Sequence, residues 1–169
     1  KKDKNGKEGT YIEKTKYDAA DDTIVTSNAS IKFFLNNTKK VKDILAMYPT
    51  ILSWNIKNKR WETDERGYLR LTFQYGKKDT YQPRSFEDAF FSENEKFITE
   101  NTFSSLHPNS LEQFKSDKDA YELANNGVSG KSSLAIEILL NSKKEGSCDF
   151  SNWVVPTYIK EGLLWLRKD

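Results

Sequence analysis

Two periodicities divide the apolar positions of this chain. Over residues 68–75, YLRLTFQY, Leu69, Leu71, Phe73 and Tyr75 alternate with Tyr68, Arg70, Thr72 and Gln74, the period-two pattern of a strand with one buried face. Elsewhere the spacing is helical. Thr26, Ser27 or Asn28 can cap a helix striped by Ile31, Phe34 and Leu35, and a second stretch with Val41, Ile44, Leu45 and Met47 inward stops at Pro49. Ser85 can cap a helix that buries Phe86, Ala89, Phe90 and Phe97. Ser110 opens another, with Leu111, Phe114, Tyr121 and Leu123 inward and Gly127 ending it. Leu134, Ala135, Ile138 and Leu139 mark a further helix, and Pro156 starts a last one that offers Ile159, Leu163, Trp165 and Leu166 for burial. Residues 11–17 fit a short polar strand, while residues 50–67 mix Trp54 and Trp61 with many charges and show no clear period. The pattern predicts an α/β chain rich in helix, with few strands.

Composition narrows the class. With 169 residues, 36% hydrophobic and 13% aromatic, the chain can bury one real core, and it has no repeat and no linker that would split residues 1–169 into two domains. A net charge of +2, spread over 27 Lys and Arg against 25 Asp and Glu, gives no overall basic field of the kind that marks a nucleic-acid binder by itself. One cysteine, Cys148, excludes an internal disulfide framework, and with the single His107 it excludes a Cys/His zinc site made by this chain alone. That usage points to a reducing compartment and a cytoplasmic location. No apolar run approaches the ~20 residues needed to span a bilayer, and KKDKNGKEG has no signal-peptide core. The first residue is Lys1 rather than Met, as expected for a piece of a longer protein.

Candidate chemistry concentrates in TYQPRSFEDAFFSEN, residues 80–94. Pro83 keeps the chain extended, Ser85 can accept a backbone hydrogen bond, and Glu87 and Asp88 fall in the first turn, where the helix dipole favours negative charge. Two carboxylates there can be half of a divalent-metal site, or can simply help the helix begin. NNGVSGKSS, residues 125–133, ends like a phosphate loop but fails as one: glycine is needed where Asn125 stands, and a buried strand should precede it where DAYELA is helix-like. Lys131 still opposes the dipole of its own helix, at a cost of ~0.3–1 kcal/mol, which an anion nearby would offset. His107, before Pro108 and without a second histidine, is expected to face solvent.

Four of these segments together resemble a known family. TSNASIK (residues 26–32), YQPRSFEDAFF (81–91), GKSSLAIEILL (130–140) and WVVPTYIKEGLLWL (153–166) resemble the C-terminal Toprim region of OLD-family ATP-dependent endonucleases, including nucleases of Gabija-type and retron-associated antiphage systems. The resemblance spans nearly the whole chain. It implies the helix-rich C-terminal portion of a Toprim-like domain, preceded in the parent by an ABC-type ATPase domain through which alone ATP would act. It implies phosphodiester hydrolysis of DNA with two Mg²⁺ or Mn²⁺ ions. The early glutamate and the Asp-x-Asp pair that follow a buried strand in such enzymes are not found here, and DAADDT, residues 18–23, lacks the preceding apolar strand. What carries over is Ser85 and Glu87, with Asp88, as ligands or supports of one metal, and Lys131 as the residue that neutralises charge at the scissile phosphate. The expected partners are DNA, the preceding ATPase and Toprim segment, and further copies of the parent; no membrane is expected. The 169-residue chain by itself is expected to be catalytically silent.

Two other readings compete. Trp54, Trp61 and the aromatic C-terminal helix could anchor a partner protein without any chemistry. Lys39, Lys40, Lys42, the run from Lys57 through Lys59 to Arg60, and Arg84 could contact DNA phosphates, although lysine runs of this kind also serve as solvated faces.

Overall fold

The computed structural model describes residues 23–74, 81–145, 148–149 and 152–167. The strand expected over residues 11–17, the acidic stretch at 18–22 and Tyr75 lie outside the described residues. Among those residues the chain is a mixed α/β structure of eight α-helices, a three-stranded antiparallel sheet and a two-stranded ribbon.

A small lobe forms first. Helix α1 (Ala29–Phe34) begins where the Asn28 side chain accepts the Ile31 N–H at 3.0 Å, as the capping residues predict, and α2 (Val41–Ala46) follows. Strands β1 (Thr50–Asn55), β2 (Arg60–Thr63) and β3 (Leu69–Leu71) then pair antiparallel in the order β2-β1-β3. The unassigned tryptophan-rich stretch is therefore a hairpin, in which Trp54 faces Trp61 and the rings meet edge to face at 5.6 Å. In its turn Asn55 Oδ1 accepts the Asn58 N–H at 3.0 Å, and Lys59 takes a left-handed φ of 49°. The strand expected over residues 68–75 is real but short, because its pairing with β1 runs only from Leu69 to Leu71, opposite Leu52 to Thr50. Leu35, Ile44, Leu52 and Phe73 form the buried core of this lobe.

A larger helical body follows. Helix α3 (Phe86–Glu93) and α4 (Glu95–Glu100) are separated by Asn94, whose side-chain amide donates both to the Phe90 carbonyl of α3 and to the Val154 carbonyl, while its oxygen accepts the Val154 N–H. Helix α5 (Pro108–Asp117) starts at Pro108, the first-turn position that tolerates proline. One helix was expected to run on through Leu123, but Lys118 takes a left-handed φ of 61° and ends α5 there. The chain resumes as the short α6 (Ala120–Glu122) and a π-helical turn at Leu123–Gly127. Helix α7 (Lys131–Leu140), the ribbon of β4 (Lys144–Glu145) and β5 (Cys148–Asp149), and α8 (Thr157–Leu166) complete the order. Eleven buried residues from α3 to α7 form this body's core, with Phe90, Phe97, Phe103 and Trp153 in edge-to-face or tilted contact.

Three expected burials are corrected. Phe86 is 43% exposed, and Phe91 takes the interior place instead. On α7 only Leu134 and Ile138 are buried, while Leu139 is 58% exposed. No residue of α8 is buried. That helix lies against β3 so closely that a Cβ on Gly162 would meet Thr72 Cγ2 at 2.9 Å. Arg70 reaches Glu161 at 3.4 Å, Gln74 donates to the Tyr158 hydroxyl at 3.4 Å, and the first turn is tied to α3 where Glu93 accepts the Thr157 N–H at 2.9 Å.

Candidate functional site

The carboxylates of α3 come to lie in the interior because of how the helix begins. Ser85 is extended, with φ −140° and ψ 174°, and its hydroxyl accepts the Asp88 N–H at 3.1 Å, the capping bond that the sequence predicts. Pro83 and Arg84 run back over the first turn, and the Arg84 N–H donates to Asp88 Oδ2 at 2.7 Å. Tyr81 closes the same turn by donating its hydroxyl proton to Asp88 Oδ1. Glu87 is left 8% and Asp88 1% exposed, so these are buried charges rather than the solvated dipole partners that an acidic first turn usually supplies.

Helix α7 answers Glu87. Lys131 is its first residue, after Gly130, and its ammonium lies 2.7 Å from Glu87 Oε1. The lysine that opposes its own helix dipole thus has its counter-charge in the first turn of another helix. Burial works against ionisation of Glu87 and is the largest single influence on it. Hydrogen bonds from Lys131, the Glu87 backbone N–H and the Ser85 hydroxyl, with the Lys131 charge, override burial and hold the carboxyl below its ordinary 4.5. Asp88 goes the other way. Burial outweighs the bonds from Tyr81 and Arg84, and the nearby charge of Asp119 adds to it, so the Asp88 carboxyl is raised. Burial and the Asp88 carboxylate together push the Tyr81 phenol up.

Arg84, Ser85, Glu87, Asp88, Asn125 and Lys131 line one cavity of about 190 Å³. Comparison of the chain with protein-family models, with curated proteins and with solved structures found no match.

Of the residues singled out in the sequence, Ser85, Glu87, Asp88, Lys131 and Arg84 are brought together here. Lys39, Lys40, Lys57, Lys59 and Arg60 are not: the first two connect α1 to α2 and the others lie at the β1–β2 turn and the start of β2. The Arg60 guanidinium is taken by Glu62 at 2.8 Å. His107 is exposed and precedes α5 without a side-chain capping bond.

Three neighbours of the site were not read from the sequence. Tyr81 lay in the right stretch, but only the folded turn aims it at Asp88. Tyr158 of α8 has its phenol raised by burial, and the charges of Glu87 and Glu93 add to the effect, which places it within electrostatic reach of Glu87. Asp119 belongs to a literal Asp-x-Asp, Asp117-Lys118-Asp119, which follows a helix rather than a strand. Asp119 caps α6 by accepting the Glu122 N–H at 3.1 Å.

For a metal ion the residues present would supply only part of a ligand set. Both Asp88 oxygens are engaged by Tyr81 and Arg84, and Glu87 shares its carboxylate with an ammonium. Among the described residues no group of three or more His, Cys, Asp or Glu is placed to hold a metal ion. A hard divalent cation takes about six oxygen ligands and keeps waters among them. Glu87 and Ser85 could supply at most two of those six, and Asp88 fixes the turn that carries them.

Proposed function

We propose that this chain is part of a two-metal DNA endonuclease, the C-terminal portion of a Toprim-like domain of the OLD-family type, acting in antiphage defence. The observation that carries the proposal is the 2.7 Å contact between Glu87 and Lys131. Two residues far apart in sequence, each implied by the resemblance and each in the first turn of its helix, meet over a cavity that also holds Ser85 and Arg84. Had they lain at opposite ends of the fold, the proposal would have failed.

In this reading Glu87 and Ser85 hold one Mg²⁺ or Mn²⁺ ion, with waters and with carboxylates from outside the described residues. When bound, the ions supply a nucleophilic water and charge stabilisation at the phosphate. This chain's own part is electrostatic and positional. Asp88 holds the turn through Tyr81 and Arg84, so that Ser85 and Glu87 present their oxygens without reorganising. Lys131, 72% exposed at its side chain, can turn from Glu87 to an incoming phosphate and offset the charge that grows there. DNA is the partner, ATP acts only through the parent's ATPase domain, and the parent is an oligomer of like chains.

The test is nicking of supercoiled plasmid by the parent protein in Mg²⁺ or Mn²⁺. Glu87→Gln and Lys131→Ala should each lower the rate by about 100-fold or more while DNA binding persists. Wild-type nicking by both variants would sink the assignment. Robust nicking by the 169-residue chain alone would sink the half-site part of it.

One set of observations favours a second reading, a protein-interaction module. Leu163, Leu164 and Leu166 of α8 are 55%, 48% and 72% exposed, and Trp54 is 41% exposed, which is more apolar surface than a solvated helix and hairpin require. Under that reading Glu87→Gln and Lys131→Ala leave the parent's behaviour unchanged, and Leu163→Asp does not.

A further inference from the structure

Lys131 meets Glu87 from a helix that is also held by the loop before it and by a carboxylate further along it. Glu137 on α7 faces the loop after α4. Its Oε1 accepts the Ser104 N–H at 3.0 Å, and its Oε2 accepts both the Ser105 N–H at 3.1 Å and the Ser105 hydroxyl at 2.5 Å. Ser105, 3% exposed, passes the hold onward: its carbonyl accepts the Ser129 N–H at 2.9 Å and the Ser129 hydroxyl at 2.8 Å. Beyond this contact the two segments go on to pair as a minimal ladder, with Leu106 opposite Val128 and the His107 N–H donating to the Gly127 carbonyl at 2.8 Å.

The result is a buckle that grips α7 on both sides of Lys131. Ser129 lies two residues before the lysine. Glu137 lies six residues after it, about 9 Å along the axis and about 240° around it, so the grip comes from a different face than the one that meets Glu87. Leu134 and Ile138 bury the core side of the same helix. Packing alone fixes such a helix loosely about its own axis, since apolar contacts are not directional. Three hydrogen bonds on one carboxylate are directional, and charge-assisted ones are the stronger kind.

We propose that Glu137 and Ser105 are positioning residues for Lys131: they set the entry and rotation of α7 so that the ammonium meets Glu87, and, resting on the nuclease reading, so that it is aimed where a scissile phosphate would lie. Neither touches the cavity. They act through Ser129 and the helix axis.

The test reads the ion pair itself, in the 169-residue chain, from the side-chain ammonium resonances of its lysines, with Lys131→Arg assigning the signal. In the wild type the Lys131 ammonium should stand apart from the exposed lysines. In Glu137→Gln, which puts an amide donor against either the Ser104 or the Ser105 N–H, the signal should collapse onto theirs while far-ultraviolet dichroism shows the helices retained. Ser142→Ala is the control. It breaks the bond that the Ser142 hydroxyl makes to the Ile138 carbonyl and the 2.7 Å bond it takes from Trp153, so it should cost stability without moving Lys131. Should Glu137→Gln fail to fold, Ser129→Ala removes a single bond of the buckle and should produce the same shift in smaller measure. A folded Glu137→Gln or Ser129→Ala chain with the Lys131 signal unmoved overturns the proposal.

In the parent enzyme, Glu137→Gln should lower kcat by about 10–100-fold with KM little changed. The two failures are distinguishable. If the signal shifts but the wild-type parent never cuts DNA, the nuclease reading falls and the buckle stands. If the parent cuts and Glu137→Gln alters neither signal nor kcat, the buckle falls and the nuclease reading stands.

Discussion

The helical body and the sheet lobe use the same materials, aromatic rings and charged residues, to different ends. In the body, Phe90, Phe91 and Phe114 are essentially without exposure, and the carboxylates Glu87 and Asp88 at the start of α3 are buried as well. In the lobe, Trp54 is 41% exposed, Tyr68 67% and Phe33 66%, and the Arg60 side chain paired with Glu62 is 58% exposed. Glu87 and Glu62 make the contrast concrete. Both are held below the ordinary glutamate value, Glu87 against burial by a lysine from another helix, Glu62 to about 2 by hydrogen bonds from Arg60, Asn58 and Asn55 within its own hairpin. An exposed local cluster is screened by water and does little beyond its turn. A pair in which one member is buried and the two come from distant segments records how the whole body packs, and that is where chemistry can be placed.

The contrast can be broken first by hollowing each core. Phe90→Ala should cost about 3–5 kcal/mol and Leu52→Ala a value nearer the lower end of about 2–5 kcal/mol, read from urea unfolding midpoints. A larger loss at Leu52 would mean that the lobe, not the body, is the stable unit. Next comes the cap: Ser85→Ala should cost about 1 kcal/mol and loosen the turn that carries Glu87, visible as faster amide exchange at Asp88.

Acid sharpens the comparison further. Glu137 is held below its ordinary 4.5, first by the Ser105 hydroxyl, so its contribution to stability is complete above that value and is lost as pH falls through the lowered one. Glu137→Gln should therefore narrow the gap between unfolding midpoints measured at about pH 6 and about pH 3. Asp88 carries the opposite sign. Its raised carboxyl favours the fold below its ordinary 3.8 and loses that advantage as pH rises through the raised value, so Asp88→Asn should not narrow the same gap. Smallest of all is Glu62→Gln in the lobe. Its window runs from the ordinary 4.5 down to about 2, with the stability lost as pH falls through it, but the group is solvent-screened, so its unfolding midpoint should depart from the wild type least of the three.

Much of the local structure was legible in the sequence because its causes are local. Asn28 and Ser85 cap the helices expected of them, and the alternation around Leu69 and Leu71 is a strand; α5, expected to open at Ser110, begins two residues earlier at Pro108. Reading failed where two segments had to meet. The hairpin at Trp54 and Trp61 shows no period because its residues are chosen for each other across the strands, and the break at Lys118 needs a left-handed residue that no glycine announced.

The candidate site divides the same way. The residue types at Ser85, Glu87 and Lys131, their place in first turns and their resemblance to a nuclease pattern belong to the sequence alone. The burial of Glu87, the engagement of both Asp88 oxygens, the entry of Asp119 and Tyr158 into the same field, and the grip of Glu137 on Ser105 belong to the tertiary structure. The reason is physical. A cap or an amphipathic stripe lowers the free energy of a segment by itself, whereas the charge state of a carboxylate and the aim of an ammonium depend on what the rest of the chain places within a few ångströms of them.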